Sequence, residues 1–325
     1  MTNKKIIIAG GSGFIGNALT EYFGGNNEIV ILTRGIKHAA NNNFGTVKLQ
    51  TKSRARFVQW NSKDAGEWCK EIDGADIVIN LTGKSVNCRY TVKNKQEIFD
   101  SRTNATKAIG EAIRNAVVPP KLWVNAASAT IYRHATDRPQ DEYTGDIEND
   151  FSVQVCKLWE KTFFEQRTPF TRKVALRMAV TLGDGGVIIP YLNLCKFGLG
   201  GHQGSGKQMF SWVHAEDICR AVEFFFENTH LEGVYNVCSP NPVINRAFMQ
   251  TLRKVTGHVF GLPAFKWMLK IGAAIIGTET ELLLKSRWVV PTKLTEEGFT
   301  FKYPQLEGAF SAIVSKLPRK QYHLF

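Results

Sequence analysis

The sequence predicts an α/β fold, a doubly wound parallel sheet carrying a smaller C-terminal lobe, on three observations. An apolar strand, a glycine turn and an amphipathic helix open the chain. Apolar strand-like runs then alternate with helical patterns as far as residue 237, and 325 residues suffice for one large α/β unit with a second lobe. With 43% hydrophobic and 22% charged residues, the chain has a globular balance that excludes a disordered, collagen-like or fibrous protein.

The first unit is Lys4-Lys-Ile-Ile-Ile-Ala-Gly10-Gly-Ser-Gly13-Phe-Ile-Gly16, a buried strand and a turn, with the helix running on to Phe23. Gly10 lets the chain leave the strand sharply, Gly13 has no Cβ to block a pyrophosphate, and Gly16 lets the helix pack close to the sheet. The helix N-terminus presents free N–H groups and a positive dipole end to phosphates. A second strand, Glu28–Thr33, follows at βαβ distance, so the unit reads as a Rossmann-type dinucleotide site. Its candidate cofactor contacts are Gly10, Ser12, Gly13, Phe14, Ile15 and Gly16; the competing reading is a purely structural glycine turn. An NAD site usually ends this second strand in an acid that takes the ribose 2′-hydroxyl, but here stand Thr33 and Arg34, with Lys37 close behind. A guanidinium suits a 2′-phosphate, so NADP(H) is expected ahead of NAD(H); a solvent-facing arginine is the alternative.

Arg56–Trp60, Ala75–Leu81, Lys121–Ala127 and Val174–Val180 read as further strands, with helices around 94–116 and 152–166. In such sheets ligands bind outside the carboxyl ends of strands, which brings Leu81, Thr82, Gly83 and Ser128 to cofactor or substrate. Ala215–Phe226 reads as an amphipathic helix, Gly233–Val237 as a strand and Asn245–Thr256 as a helix opening the second lobe. The expected division is a dinucleotide-binding domain over 1–237 and a small substrate-side domain over 238–325, with 183–212 contributing to the second lobe. The cleft between lobes is the default ligand position.

The segment from Lys196 to His214 holds five glycines, with Gly183, Gly185 and Gly186 just upstream, and is flexible unless something organises it. Gln208, Trp212 and His214 are its substrate-side candidates. The competing reading makes Trp212 a core residue and His214 the cap of the following helix. Arg89 and Arg102 hold a phosphate or carboxylate of substrate or cofactor, or else pair with carboxylates on a helix surface.

Other classes are disfavoured. The six cysteines and seven histidines form no C-x-x-C or H-x-x-x-H pair, so no metal site is expected from spacing. The net charge of +12 sits at the two ends: residues 1–60 hold eight basic and two acidic groups, residues 250–325 eleven and five. Without basic stripes interleaved with aromatics, this reads as a solvated face or a field for anionic small molecules rather than a nucleic-acid surface. The apolar run Ile6–Ala9 is too short for a signal sequence, and Met268–Ile276 is too short to span a bilayer. A cytoplasmic protein with no membrane partner is the expectation.

On these residues the chain resembles the extended short-chain dehydrogenase/reductase superfamily. Gly10-Gly-Ser-Gly-Phe-Ile-Gly16 matches its glycine fingerprint, Asp73–Gly83 its fourth strand, and Ala127-Ser-Ala-Thr-Ile-Tyr132 its serine segment. Cys88–Lys93 onwards to Ser101-Arg102, Phe197–Gly201, Gly204–Gly206, Phe210–His214 with Asp217, and the run from Val290-Pro291 to Phe301-Lys-Tyr-Pro304 look like one branch, the epimerase family proteins. The last of these resembles that branch's C-terminal domain of unknown function. The resemblance implies a nicotinamide cofactor and a Tyr-x-x-x-Lys pair, with a serine that orients the substrate oxygen.

Ser128 matches that serine, but the tyrosine's place falls on Val153, with Lys157 and Glu160 following it. Ser128, Lys157 and, as a substitute phenol, Tyr132 are the candidate catalytic residues; Lys157 reads equally as an exposed lysine. His134, Asp141, Glu142 and Tyr143 lie in the next loop, where a polar surface is the competing reading. The leading reading is an NADP(H)-dependent oxidoreductase or epimerase acting on a small, polar, anionic substrate. The rivals are a non-catalytic NADP(H)-binding sensor or assembly protein and, last, a nucleic-acid binder. A homodimer through the helices flanking the sheet is the pairing that related proteins often use, and stays open here.

Overall fold

The computed structural model describes residues 1–35, 55–265 and 284–324. In chain order its elements are β1 (Lys5–Ala9), α1 (Phe14–Phe23), β2 (Glu28–Thr33), β3 (Ala55–Gln59), α2 (Cys69–Ile72), β4 (Ile77–Asn80), α3 (Val92–Asn115), β5 (Leu122–Ser128) and α4 (Phe151–Phe164). There follow β6 (Arg172–Met178), β7 (Val180–Leu182), α5 (Ile188–Lys196), β8 (Met209–Phe210), β9 (Trp212–His214), α6 (Ala215–Glu227) and β10 (Gly233–Val237). The chain closes with β11 (Val243–Ile244), α7 (Asn245–Thr256), α8 (Thr292–Glu296) and α9 (Leu306–Lys316).

Seven strands form one parallel sheet in the order β10-β6-β5-β4-β1-β2-β3. Both faces are covered by helices, which is why β1 is a continuous run of Ile6, Ile7 and Ile8, all fully buried. Alternate residues serve opposite faces. Ile6 and Ile8 pack with Leu19 and Phe23 of α1 and Ile218, Val222 and Phe225 of α6, whereas Ile7 and Ala9 pack with Ile109 and Ile113 of α3, Trp123 and Phe163.

The expected strand Val174–Val180 divides in two. β6 ends at Met178 in the large sheet, and β7 leaves it to pair with β9, register Val180 to Trp212. A second core then forms from Leu182, Ile188 and Leu192, Trp212, Phe248 and Leu252 of α7, and Phe310 and Ile313 of α9. The lobes interleave in sequence as well: Leu294 of α8, with Phe299 and Phe301, packs into the core of the large sheet. Lys37 and the apolar stretch Met268–Ile276 lie outside the described residues. Among the described residues no helix is long and apolar enough to cross a membrane.

Candidate functional site

β1 connects through α1 to β2 on one side, and β4 connects through α3 to β5 on the other, so a crevice opens where the strand order reverses. The β1–α1 turn lies at that crevice. Gly10 has φ +75°, and a Cβ there would fall 3.1 Å from the Leu81 carbonyl carbon. A Cβ on Gly11 would meet Ile31 Cγ2 at 2.9 Å, and one on Gly16 would meet the Gly11 backbone at 2.4 Å. Gly16 thus lets α1 close on the turn itself. Gly13 differs: it is exposed, and the nearest neighbour a Cβ would meet there is Gly10 O at 3.5 Å.

α1 starts without a side-chain cap and without an acid in its first turn. Its first helical bond runs from Asn17 N–H to Gly13 O at 2.9 Å, so the N–H groups of Phe14, Ile15 and Gly16 lie ahead of the helical ladder. Ser12 is half-buried between Gly11 and Gly13. The Phe14 ring is roofed by glycines: a Cβ on Gly183 or Gly186 would fall 2.6 or 3.1 Å from it.

Across the crevice, Asn80 donates to Asn125 Oδ1 at 2.7 Å and Thr106 Oγ1 at 3.2 Å, and accepts the Thr82 N–H at 3.0 Å. This triad of buried polar groups fixes the turn Leu81-Thr82-Gly83, where Thr82 Oγ1 is buried and has no partner among the described residues. Gly83 lies against Arg102, since a Cβ there would fall 3.0 Å from Arg102 Cζ. Arg102 Nη1 donates to the carbonyls of Lys84 and Ile98 at 3.1 and 3.0 Å, and its guanidinium is 5.0 Å from the Trp159 ring centroid. Burial lowers its pKa. At the end of β2, Thr33 is buried and its carbonyl accepts the Trp60 N–H at 3.0 Å, whereas Arg34 is exposed.

At the end of β5, Ser128 Oγ accepts the Thr130 N–H at 3.2 Å, which leaves its own proton to donate. Val153 is fully buried among Ala129, Ile131, Tyr132, Cys156, Cys238 and Val289. Lys157 is exposed on α4. Tyr132 is 2% exposed, and its hydroxyl accepts from Arg177 Nη1 at 2.8 Å while donating to Asn236 Oδ1 at 3.0 Å. Burial, the largest influence, pushes the phenol up to about 12. Arg177 in turn grips Glu160 through two bonds of 2.8 Å. Asn236 N–H donates to Glu142 Oε1 at 2.7 Å, and burial raises the pKa of that carboxyl.

The substrate-side candidates sit in internal networks. Gln208 Nε2 donates to Gln203 O at 2.8 Å, while Asn245 N–H donates to Gln208 O and Asn245 Oδ1 accepts from Gln203 N–H, an arrangement that organises the glycine-rich segment. Trp212 is fully buried, with Nε1 donating to Asn241 O at 3.2 Å, and so fills the core. His214 caps α6 by accepting the Glu216 N–H at Nδ1, and its ring lies 4.0 Å from that of Tyr303. Burial lowers its pKa to about 4. Asp217 accepts the N–H groups of Lys302 and Tyr303 at 2.7 and 3.0 Å, so Phe210–His214 with Asp217 and Phe301–Pro304 clasp each other. For these residues the geometry follows the capping and core alternative. Arg89 is exposed in the loop before α3.

Of the expected residues, the fold gathers the glycine turn, Leu81–Gly83, Arg102 and Ser128 around one crevice. Arg177, Asn80 and Asn125 went unread in the sequence. The first had a signal, an arginine inside the apolar run Val174-Ala-Leu-Arg-Met. Among the described residues no group of three or more His, Cys, Asp or Glu is placed to hold a metal ion.

A model of the NAD dependent epimerase/dehydratase family matches residues 6–154, and one of a domain of unknown function, DUF1731, matches residues 264–313. Epimerase family protein YfhF of Bacillus subtilis is 31% identical over 316 residues, 96% of this chain and 98% of that protein. Epimerase family protein SDR39U1 of Mus musculus is 28% identical over 96% of this chain and all of its own length, 100%. The crystal structure of human epimerase family protein SDR39U1 (isoform 2) with NADPH matches with a TM-score of 0.82 at 26% identity, over 96% of this chain and 99% of that one. UDP-N-acetylglucosamine 4-epimerase of Bacillus cereus, at 16% identity, TM-score 0.74 and 97% and 98% coverage, shares the fold.

Proposed function

The chain belongs to the NAD dependent epimerase/dehydratase family, among the epimerase family proteins, and from that premise we propose that it is an NADP(H)-dependent oxidoreductase or epimerase for a small, polar, anionic substrate. Gly13 carries the reading. The other glycines of the turn are required by atoms of the chain around them, whereas among the described residues none requires a glycine at 13. A pyrophosphate laid across its Cα accounts for that, with the first N–H groups of α1 as donors. Thr82 Oγ1, buried without a partner among the described residues, fits a group that the crevice receives. Arg34 is the guanidinium assigned to the 2′-phosphate, in keeping with the human relative solved with NADPH.

A bound nicotinamide would supply hydride-transfer chemistry at the carboxyl edge of the sheet. The chain's own part would be to hold the substrate oxygen on the Ser128 hydroxyl, while the β1–α1 turn would hold the cofactor. Val153 has no transferable proton, and the Tyr132 hydroxyl is committed to Arg177 and Asn236, so neither position offers the tyrosine proton of the superfamily pattern. The same two residues favour a second reading, a sensor or assembly protein that binds NADP(H) without turning it over.

The test is a titration with NADPH and with NADH, read by nicotinamide fluorescence and by thermal stability. NADPH binds more tightly to the natural protein; Gly13→Asp abolishes binding while leaving the melting temperature of the nucleotide-free protein unchanged. Arg34→Ala weakens NADPH roughly tenfold and leaves NADH unaffected. Binding of neither nucleotide overturns the proposal. Tight binding without NADPH oxidation across a panel of carbonyl compounds selects the second reading.

A further inference from the structure

Three segments of the second lobe meet on one surface: residues 197–201 after α5, residues 257–265 after α7, and residues 319–324 after α9. Leu262 N–H donates to Gly198 O at 2.8 Å and Gly201 N–H donates to Leu262 O at 3.0 Å. The two backbones pass so closely that a Cβ on Gly261 would fall 2.8 Å from the Gly200 carbonyl carbon. Arg253 Nη1 donates to Gly200 O at 2.5 Å. The third segment is tied in by Lys196 Nζ, which donates to Lys320 O at 2.7 Å, and by the rings of His258 and His323, stacked with their centroids 4.5 Å apart.

What these segments turn outward is apolar. Phe197, Leu199, Val259, Phe260, Leu262 and Leu324 are all exposed, Val259 completely and Phe260 at 66%. Single exposed apolar residues are ordinary, whereas six on three adjoining segments mark a surface with a partner. The charged residues among them have one sign. Residues 196–201, 253–265 and 319–324 hold Lys196, Arg253, Lys254, Arg319 and Lys320, and no Asp or Glu. Glu307 of α9 meets Lys254 at 2.8 Å; among the described residues the other four cations have no carboxylate partner.

We propose that this face docks on an anionic lipid surface, its apolar side chains entering the headgroup region while Arg319, Lys320 and the neighbouring cations meet the lipid phosphates and carboxylates. A second copy of the chain would bring two rims of the same charge together. A nucleic acid would satisfy the cations but not Leu199, Val259 and Leu262, since aliphatic side chains give bases no stacking platform. An anionic bilayer takes both features at once. It also needs no spanning helix, because attachment of this kind lies in the plane of the interface. Peripheral docking therefore departs from the sequence expectation of no membrane partner, which considered only signal and spanning segments. It is independent of the nucleotide at the β1–α1 turn.

The test is co-sedimentation of the full chain with vesicles of phosphatidylcholine alone and with vesicles that also contain phosphatidylserine. The natural protein is compared with two double variants, Val259→Ser with Phe260→Ser and Arg319→Glu with Lys320→Glu, each checked for an unchanged melting temperature. The natural protein binds the phosphatidylserine vesicles roughly tenfold or more tightly than phosphatidylcholine alone, and added salt weakens that binding. Either double variant loses roughly tenfold in vesicle affinity, while NADPH affinity is the same in all three proteins. No binding to the phosphatidylserine vesicles overturns the proposal, and so does equal binding to both kinds of vesicle. Undiminished binding by the Val259→Ser, Phe260→Ser protein overturns it as well, since charge alone would then account for the attachment. Light scattering examines the other occupant: a dimer that the same variant dissociates would make the face a contact between copies of the chain and remove the lipid. If a double variant does not fold, the single variants Val259→Ser and Lys320→Glu, both at exposed positions, decide by the same criteria. Vesicle binding and NADPH binding are separate readouts, so the failure of one leaves the other standing.

Discussion

At the β1–α1 turn, folding leaves polar groups open: α1 has no side-chain cap, and among the described residues a Cβ on Gly13 would meet no atom closer than 3.5 Å and Thr82 Oγ1 across the crevice has no partner. At the ends of β5, β6 and β10 the opposite holds. Tyr132, Arg177, Glu160, Asn236 and Glu142 are more numerous and chemically richer, yet each is bonded to another of the set. The difference teaches that residue type is a poor guide to a site and residual bonding capacity a good one. A phenol with both of its hydrogen-bonding roles filled has nothing left for a substrate, whereas a bare helix end and an orphaned hydroxyl keep their capacity for a ligand.

Arg177 offers the strongest way to break that contrast. If the network is structural, Arg177→Met leaves Glu160 buried and uncompensated and lowers unfolding free energy by about 3–5 kcal/mol in urea denaturation. Arg177→Met combined with Glu160→Met recovers most of the loss, because no charge is then left buried. NADPH affinity is untouched throughout. Turnover lost with stability retained would instead put the network in the chemistry.

His214 sharpens the same contrast through pH. Its pKa falls from 6.5 to about 4, chiefly by burial, so the folded protein holds the ring neutral while the unfolded chain protonates it. Between those two values the unfolded state binds more protons. Stability therefore falls as pH drops from about 6.5 to about 4, by about 3 kcal/mol from this group. His214→Asn keeps a capping oxygen and removes the proton site, so its stability declines less steeply over that window than the natural protein's. Identical pH slopes would mean that the ring is not buried neutral.

What the sequence made legible follows a physical division. Glu28–Thr33, Gly233–Val237 and Asn245–Thr256 have the limits expected of them, because β-branched runs and helical periodicity are local signals and Gly257, at φ +75°, marks a helix end by its own conformation. The glycine turn was legible for the same reason: strand, turn and helix are consecutive. The pocket's second half was not. Ser128 and Tyr132 lie four residues apart and look equally available, but whether each hydroxyl is engaged depends on Arg177 and Asn236, which arrive from other strands. Gln208 and His214 were expected on the substrate side, with a structural turn and helix cap as the competing reading, and their hydrogen bonds organise a glycine-rich segment and cap α6.

The smallest effect belongs to Val153→Tyr, the substitution that restores the tyrosine of the superfamily pattern. The position has no exposed surface, and its neighbours Ala129, Ile131, Tyr132, Cys156, Cys238 and Val289 form a closed apolar cluster. A phenol adds an aromatic ring to a filled volume and brings a hydroxyl that must find a partner there. The expected result is a loss of about 1–3 kcal/mol in stability from overpacking, with no gain in NADPH-dependent carbonyl reduction. Tyr132 adjoins the cluster, so a variant that relaxes by displacing its ring would also loosen the bond to Arg177. A Val153→Tyr protein that stayed fully stable and acquired reductase turnover would show that the helix start at α4 can turn this position toward the crevice. The region at the end of β5 would then be as open as the glycine turn, and the contrast between the two would collapse.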